Sequence, residues 1–160
     1  MMTTARRGVY SLVIHVKRGL SIRVGALGPQ RFPKGYYVYT GSALGPGGLE
    51  ARILRHMRLS RNGVAYSRPF WHIDFLLAHE KASLVAVVAA EILRKLECEV
   101  NQSIRDRIGA EIPVPGFGAS DCRKNCESHL LFFRGEDVRS KVAGLYARKF
   151  GTERLVSFGV

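Results

Sequence analysis

The sequence predicts an α+β domain, a small mixed or antiparallel sheet flanked by helices. Three observations lead there: an alternating apolar run near the amino end, apolar residues every four positions from Leu49, and strands grouped ahead of helices rather than in repeating βαβ units. At 160 residues the chain suits one compact domain over 1–160, with a core at about 8–134 and a C-terminal helical extension over 135–160. Apolar residues make up 46%, enough to bury a core without disulfides.

In residues 8–16, Tyr10, Leu12, Ile14 and Val16 fall on one face and Val9, Ser11, Val13 and His15 on the other, the pattern of a strand. Lys17-Arg18-Gly19 is a tight turn, so 21–27 is expected to return as the second strand of a hairpin. Gly28-Pro29 through Pro33-Lys34-Gly35 reads as a loop, and 36–40 as a third strand with Tyr37 and Tyr39 on one face. The glycine-rich residues 41–48 lead into a helix from about Leu49. Its stripe is Leu49, Ile53 and Met57, with Arg52 and His56 four apart on a neighbouring face. It fades at Asn62-Gly63. Residues 58–69 read as a basic, turn-prone linker, 70–78 as a short helix and 84–89 as β-leaning. A long helix is expected over 92–108. Pro113, Pro115, Gly116 and Gly118 then break the chain, and 128–134 forms a short final strand. Residues 136–150 close the fold as an amphipathic helix with Val138, Val142, Leu145 and Phe150 on its apolar side.

Charge narrows the choice of partner. Lys plus Arg number 25 against 13 Asp plus Glu, a net charge of +12. Such an excess suits a polyanion, because each neutralised phosphate releases counterions. Of the 25 cations 18 are Arg, whose planar fork grips phosphate with two bonds. No apolar segment is long enough for a membrane span, and the apolar run after Arg6 and Arg7 is broken by Ser11, His15 and Lys17, unlike a secretory signal. Three cysteines, all in the second half, argue for a reducing compartment over a disulfide framework. The expected setting is cytoplasmic, with nucleic acid as partner and no membrane.

Two strand tyrosines, Tyr10 and Tyr39, precede Arg52 and His56 on one helix. A tyrosine acts as base or nucleophile where cations lower its pKa; Arg52 would offset charge on a phosphate, and His56 would relay a proton. Gly47 and Gly48 would leave bare amides at a helix start, where an anion binds. Arg55, Arg58, Arg61 and Arg68 are further candidate phosphate contacts, and Trp71 could stack on a base. Spacing alone equally describes two core aromatics beside a solvated basic face.

These residues resemble a known family. Gly8-Val9-Tyr10 is similar to the GIY element of GIY-YIG nucleases, and Tyr39-Thr40-Gly41 to YIG. Leu49-x-x-Arg52-x-x-x-His56 resembles the family's helix motif, and Leu96-Glu97-Cys98-Glu99-Val100 its later metal-binding helix. A closer resemblance, over nearly the whole chain, is to an uncharacterised prokaryotic, archaeal-type branch of that superfamily, a family of unknown function. It rests on Gly-Tyr-Tyr-Val-Tyr-x-Gly-Ser-Ala at 35–43, Trp-His-Ile-Asp-Phe-Leu at 71–76, Glu-Cys-Glu at 97–99, Phe-Gly-x-Ser-Asp-Cys at 117–122 and Ser-His-Leu at 128–130.

The resemblance implies a GIY-YIG-like fold and metal-dependent cleavage of DNA, in repair or recombination. By it Tyr10 activates water with support from Tyr39, Arg52 steadies the scissile phosphate and His56 assists proton transfer. Glu97 holds one Mg²⁺ or Mn²⁺, with Glu99 as the alternative ligand. The sequence departs from the family's pattern in the 28 residues between the two tyrosines (11–38), in Val9 and Thr40, and in lacking a clear counterpart of a downstream asparagine, for which Asn101 and Asn125 are candidates.

Cys122-x3-Cys126-x2-His129, with Cys98 upstream, is a candidate zinc cluster to which Asp121 could add a ligand; free thiols and a core histidine are the alternative. Without zinc, Ser120, Asp121 and His129 would border the cleft. His72 and Asp74 either bind metal or water, or cap and pack a helix. Three functions follow: a nuclease, a non-catalytic nucleic-acid-binding module, and a zinc-stabilised scaffold docking onto a protein such as a repair glycosylase. They differ in whether Glu97 meets the tyrosines and Arg52 in one cleft, is paired away, or is irrelevant beside an exposed apolar patch.

Overall fold

The computed structural model describes residues 5–120 and 122–160. Strands β1 (Gly8–Val16), β4 (Gly35–Ala43), β5 (Ala82–Glu91), β6 (Leu130–Phe133) and β7 (Leu155–Val156) form one antiparallel sheet in the order β6-β4-β1-β5-β7. A separate two-stranded sheet pairs β2 (Leu20–Arg23) with β3 (Pro29–Phe32). The helices are α1 (Gly48–Asn62), α2 (His72–Leu77), α3 (Glu97–Ile104) and α4 (Arg139–Phe150). The α+β class read from the sequence is therefore present, with every pairing antiparallel.

β1 lies at the centre and is buried on both faces apart from the partly exposed His15. Tyr10, Leu12, Ile14 and Val16 face a core shared with α1, α2 and the small sheet, through Leu49, Ile53, Ile73, Leu76 and Phe32. Val9 and Val13 face a second core built on α3 and α4, through Val100, Ile104, Val142 and Tyr146. The second face also carries Ser11, whose hydroxyl meets Thr40 Oγ1 at 2.7 Å and Tyr146 Oη at 2.8 Å. Buried polar groups satisfied in this way hold α4 in one register against the sheet.

Four expectations need correction. The returning strand after Lys17-Arg18-Gly19 does not pair with β1, because β4 and β5 occupy both edges of β1; its partner is β3, in the stretch read as loop. The 28 intervening residues (11–38) thus hold a side hairpin, and β1 and β4 still pair from Gly8↔Ala43 to Val16↔Gly35. The long helix over 92–108 is broken: β5 continues to Glu91 opposite Gly8, the Ile92 amide donates to Arg7 O at 2.9 Å, and α3 begins only at Glu97 before a π-helical turn over Arg105–Gly109. Residues 58–62 belong to α1, so Arg58 and Arg61 are helical; the turn comes at Gly63, with φ of 62°. After α4 the chain adds β7 to the edge of β5, an element beyond the expected helix.

The stripe of α1 also shifts. Beyond Gly48, its buried residues are Leu49, Ile53, His56 and Leu59, while Met57 is partly buried. At 3.6 residues per turn a strict spacing of four drifts off the face, and the buried line moves to the i+7 position. His56 therefore points into the core, not onto a neighbouring polar face.

A Cβ at Gly8 would stand 1.9 Å from the Ala90 carbonyl oxygen, a backbone atom that cannot swing away. Gly8→Ala should cost about 1–3 kcal/mol as β1 and β5 part locally. Gly135→Ala, where nothing lies within 4 Å, should stay within about 0.5 kcal/mol of wild type. Urea unfolding of the two variants checks the difference.

Candidate functional site

Tyr10, on the α1 side of β1, is paired in register with Gly41 on β4. A Cβ at Gly41 would come within 2.9 Å of the Tyr10 hydroxyl, so the glycine makes room for the ring. The phenol reaches His56 Nε2 at 2.8 Å, with the donor set by the imidazole tautomer. Both side chains are buried, and His56 Nδ1 has no partner. Burial pushes the Tyr10 phenol up to about 12, against the pull of the neighbouring Arg52 cation. Burial likewise pushes His56 down to about 3, aided by Arg52 and Arg55 and opposed by Asp74. At neutral pH the pair is a neutral phenol on a neutral imidazole. The Tyr39 ring is edge-on to His56, with centroids 6.5 Å apart, and also packs against Phe117.

Arg52 links this buried pair to the surface. Its guanidinium donates to the Ser42 carbonyl at 3.4 Å and helps line a cavity of about 190 Å³ with Ala43, Gly45, Pro46, Gly48, Ala51 and Arg55. Glu97, at the start of α3, is 7% exposed and accepts a hydrogen bond from the Ser42 hydroxyl. Lys95 Nζ stands 3.6 Å from its other oxygen. Glu97 thus meets β4 one residue past Gly41, whereas Glu99 is an exposed residue facing Lys149 at 3.9 Å. Asn101, one turn beyond Glu97, is buried and donates to Ser128 O at 2.7 Å, leaving its Oδ1 unpartnered.

The cations around the cavity are braced. Arg55 makes a bidentate bridge to the buried Asp74 at 2.7 and 2.8 Å. Asp74 also accepts the Phe70 and Trp71 amides, at 2.8 and 2.9 Å, which caps α2. Burial would raise this carboxyl, but Arg55 and the two amides hold it below its ordinary value. Both the Arg52 and Arg55 guanidiniums lie over the Trp71 ring, 4.5 and 4.6 Å from its centroid. His72 accepts the Gly118 amide at 2.8 Å. Of the two readings of His72 and Asp74, capping and packing is the one found. Arg58, Arg61 and Arg68 are all exposed.

At the start of α1, where bare glycine amides were expected, the amide of Gly48 is not bare. The Gly48 amide donates to Gly45 O at 3.1 Å and the Leu49 amide to Arg6 O at 2.7 Å. Gly47 and Gly48, with φ of 83° and 60°, serve this turn; a Cβ on Gly48 would lie 2.1 Å from Arg6 O. Ser42 and Lys95 were missed by sequence reasoning. Ser42 stood inside the Gly-Ser-Ala motif, but its partner lies 55 residues on.

On the other side of α3, the ligand atoms of Cys98, Cys122, Cys126 and His129 lie within 4.8 Å of one another. Cys98 Sγ is 3.5 Å from Cys122 Sγ and 3.6 Å from His129 Nε2. A tetrahedron with Zn–S bonds of about 2.3 Å has edges of roughly 3.8 Å, so the spacing fits. The Lys124 amide and the Gln102 side chain donate to Cys122 and Cys126 sulfur, at 3.4 and 3.5 Å. Burial raises the Cys98 thiol; at Cys122 it is outweighed by backbone amides, which lower that thiol. This Cys3His group could hold a metal ion, and Zn²⁺ suits its soft donors as well as any. Asp121 lies outside the described residues, and Ser120 is exposed.

An α+β fold with a buried tyrosine–histidine pair, an arginine-lined cavity and a Cys3His group defines the class of this protein. The chain belongs to the family described as domain of unknown function DUF123, which matches residues 9–150. That agrees with the uncharacterised family expected from the motifs. No curated protein and no solved structure matches the chain. No helix among the described residues is long and apolar enough to cross a membrane.

The buried His56 has a pH signature. Its ordinary value of 6.5 applies to the unfolded chain, which binds a proton below that pH while the folded chain does not until about 3. Stability is therefore complete above 6.5 and lost as pH falls toward 3, by at most about 1.4 kcal/mol per pH unit from this group. His72, also lowered by burial, adds to the loss that begins below 6.5, and Asp74 contributes only below about 3.8. The urea midpoint should fall less between pH 6.5 and 4 in His56→Gln than in wild type, whatever the variant's stability at pH 7.5; an unchanged slope would refute the assignment.

Proposed function

We propose that the chain is a metal-dependent nuclease of the GIY-YIG type, cleaving a phosphodiester held at the arginine-lined cavity. The observation that supports this reading is the buried Tyr10–His56 pair with Arg52 beside it at the cavity, while Glu97 reaches the same stretch of β4 through Ser42. Tyr10 contacts His56, Arg52 stands beside them, and Glu97 bonds the hydroxyl of Ser42, whose carbonyl receives Arg52. The net charge of +12 supports a polyanionic substrate.

Glu97 is the residue that would hold Mg²⁺ or Mn²⁺. One carboxylate suits these hard ions, which take their other ligands from water and substrate phosphate. Bound there, the ion would act as a Lewis acid on phosphate oxygen. The remaining chemistry belongs to the chain. Arg52 and Arg55 bind and orient the phosphate anion. With Nε2 of His56 as acceptor, the Tyr10 phenol passes its proton to the imidazole as its oxygen takes one from the attacking water. The water oxygen bonds to phosphorus as the bond from phosphorus to the leaving oxygen breaks. That oxygen keeps the electron pair and takes a proton from solvent, and His56 releases its proton to solvent. Burial, then Arg52 and Arg55, depress His56; a phosphate beside those cations offsets them and raises its basicity when substrate is bound.

A second reading, a module that binds nucleic acid without cutting it, is favoured by two observations. Tyr10 is 1% exposed, and the Glu97 carboxylate already engages Ser42 and Lys95. Nicking of supercoiled and branched DNA with Mg²⁺ or Mn²⁺ separates the two. Glu97→Ala and Arg52→Ala should each lower cleavage by about 10²–10³-fold. Wild type that binds DNA but cuts no faster than these variants supports the binding module instead.

For the Cys3His group the proposed occupant is structural zinc, joining α3 to the loop that holds Cys122, Cys126 and His129. Protein purified without added metal should carry about one equivalent of zinc, and Cys122→Ser should lose it together with thermal stability. Elemental analysis finding no zinc in wild type would remove the idea.

A further inference from the structure

Between α1 and α2 the chain exposes four apolar side chains in quick succession: Val64, Tyr66, Phe70 and Trp71. Phe70 is 79% exposed, against 36% for Trp71. The Phe70 ring is not a loose side chain on a loop. Its own amide and that of Trp71 both donate to Asp74 Oδ2, and Asp74 is anchored by the bidentate bridge from Arg55. The Phe70 ring stands edge-on to Trp71, with centroids 5.8 Å apart at 78°. Trp71 in turn lies under the guanidiniums of Arg52 and Arg55, both of which line the cavity proposed for the phosphate. Trp71 is therefore engaged by cations, and Phe70 is the ring held out to solvent one residue away.

With Asp74 buried and paired to Arg55, the exposed charges that flank this ring in sequence carry one sign. Residues 58–73 contain Arg58, Arg61 and Arg68 and no acidic residue. All three arginines are exposed. An exposed aromatic ring on a pinned backbone, flanked by exposed cations, matches what an unpaired base and its backbone require: a stacking surface beside phosphate-binding charge. An apolar protein partner would gain the ring but would have to cover unpaired cations.

We infer that Phe70 is a stacking platform for an unpaired nucleotide next to the scissile phosphate, so that the substrate class is nucleic acid with a single-stranded segment rather than continuous duplex. This rests on the nucleic-acid reading of the cavity. It transfers the stacking role expected of Trp71 to its neighbour.

Anisotropy titrations with fluorescein-labelled dT20, a blunt 20-base-pair duplex and the same duplex bearing a dT10 tail test the inference, using the full chain. Phe70→Ala and Phe70→Leu should each weaken binding to dT20 and to the tailed duplex by about 10-fold or more, with blunt-duplex affinity changed less than about 2-fold. Phe70→Trp should restore the loss. Trp71 is the sole tryptophan, so its emission in wild type should change on adding dT20. Equal weakening on blunt duplex, or no weakening on any oligonucleotide, overturns the platform while leaving the cavity reading intact. Loss of self-association in Phe70→Ala by sedimentation velocity, with oligonucleotide binding unchanged, would make the patch a protein interface and also overturn it. If wild type binds none of the three at low salt, the nucleic-acid reading fails along with the inference.

Discussion

Burial of β1 on both faces, with both of its edges paired, is the constraint from which the rest of the architecture follows. A strand so enclosed can carry polar groups only where a partner is waiting. On one face Ser11 is met by Thr40 and Tyr146, which fixes α4. On the other Tyr10 is met by His56, which fixes α1. Gly41 makes the second contact sterically feasible, since any side chain there would strike the phenol. The tyrosine, the glycine and the histidine are thus one packing unit before they are anything chemical.

Charge is organised around that unit in layers of increasing exposure. Tyr10 and His56 are neutral and dry. Arg52 stands between them and the cavity, and Arg55 stands behind it, tied to Asp74. Because Asp74 also receives two amides before α2, a single carboxylate sets the position of a cavity arginine and of the aromatic segment 70–71. Removing a partner from such a bridge strands buried charge, which is why these residues act together. α3 performs a similar double duty. Glu97 turns toward β4, Cys98 toward the Cys3His group, and Asn101 toward Ser128, so one short helix joins β4 to the cysteine loop.

Local features of the fold were readable where they depend on neighbours in sequence. The alternation of 8–16 predicts β1, the glycine at 63 ends α1, and Val138, Val142, Leu145 and Phe150 mark α4. Errors arose where a distant strand decided the outcome. Residues 21–27 carry a hairpin signal, yet β1 has no free edge for them. Residues 92–96 are helix-compatible, yet β5 runs to Glu91 opposite Gly8 and the Ile92 amide is taken by Arg7 O, so the helix starts only at Glu97.

For the candidate site, the sequence by itself determined which residue types were available: a basic, arginine-rich chain, two strand tyrosines, Arg52 and His56 on one helix, and three cysteines with a histidine. Such inventories follow from composition and from periods of two and 3.6, which are properties of the local chain. Only the tertiary structure decided which of them meet. It turned His56 inward onto Tyr10, brought Glu97 to Ser42 across 55 residues, gathered four ligands from two segments, and left Phe70 far more exposed than Trp71. Those outcomes depend on packing between elements remote in sequence, where each buried polar group takes the partner that the fold supplies.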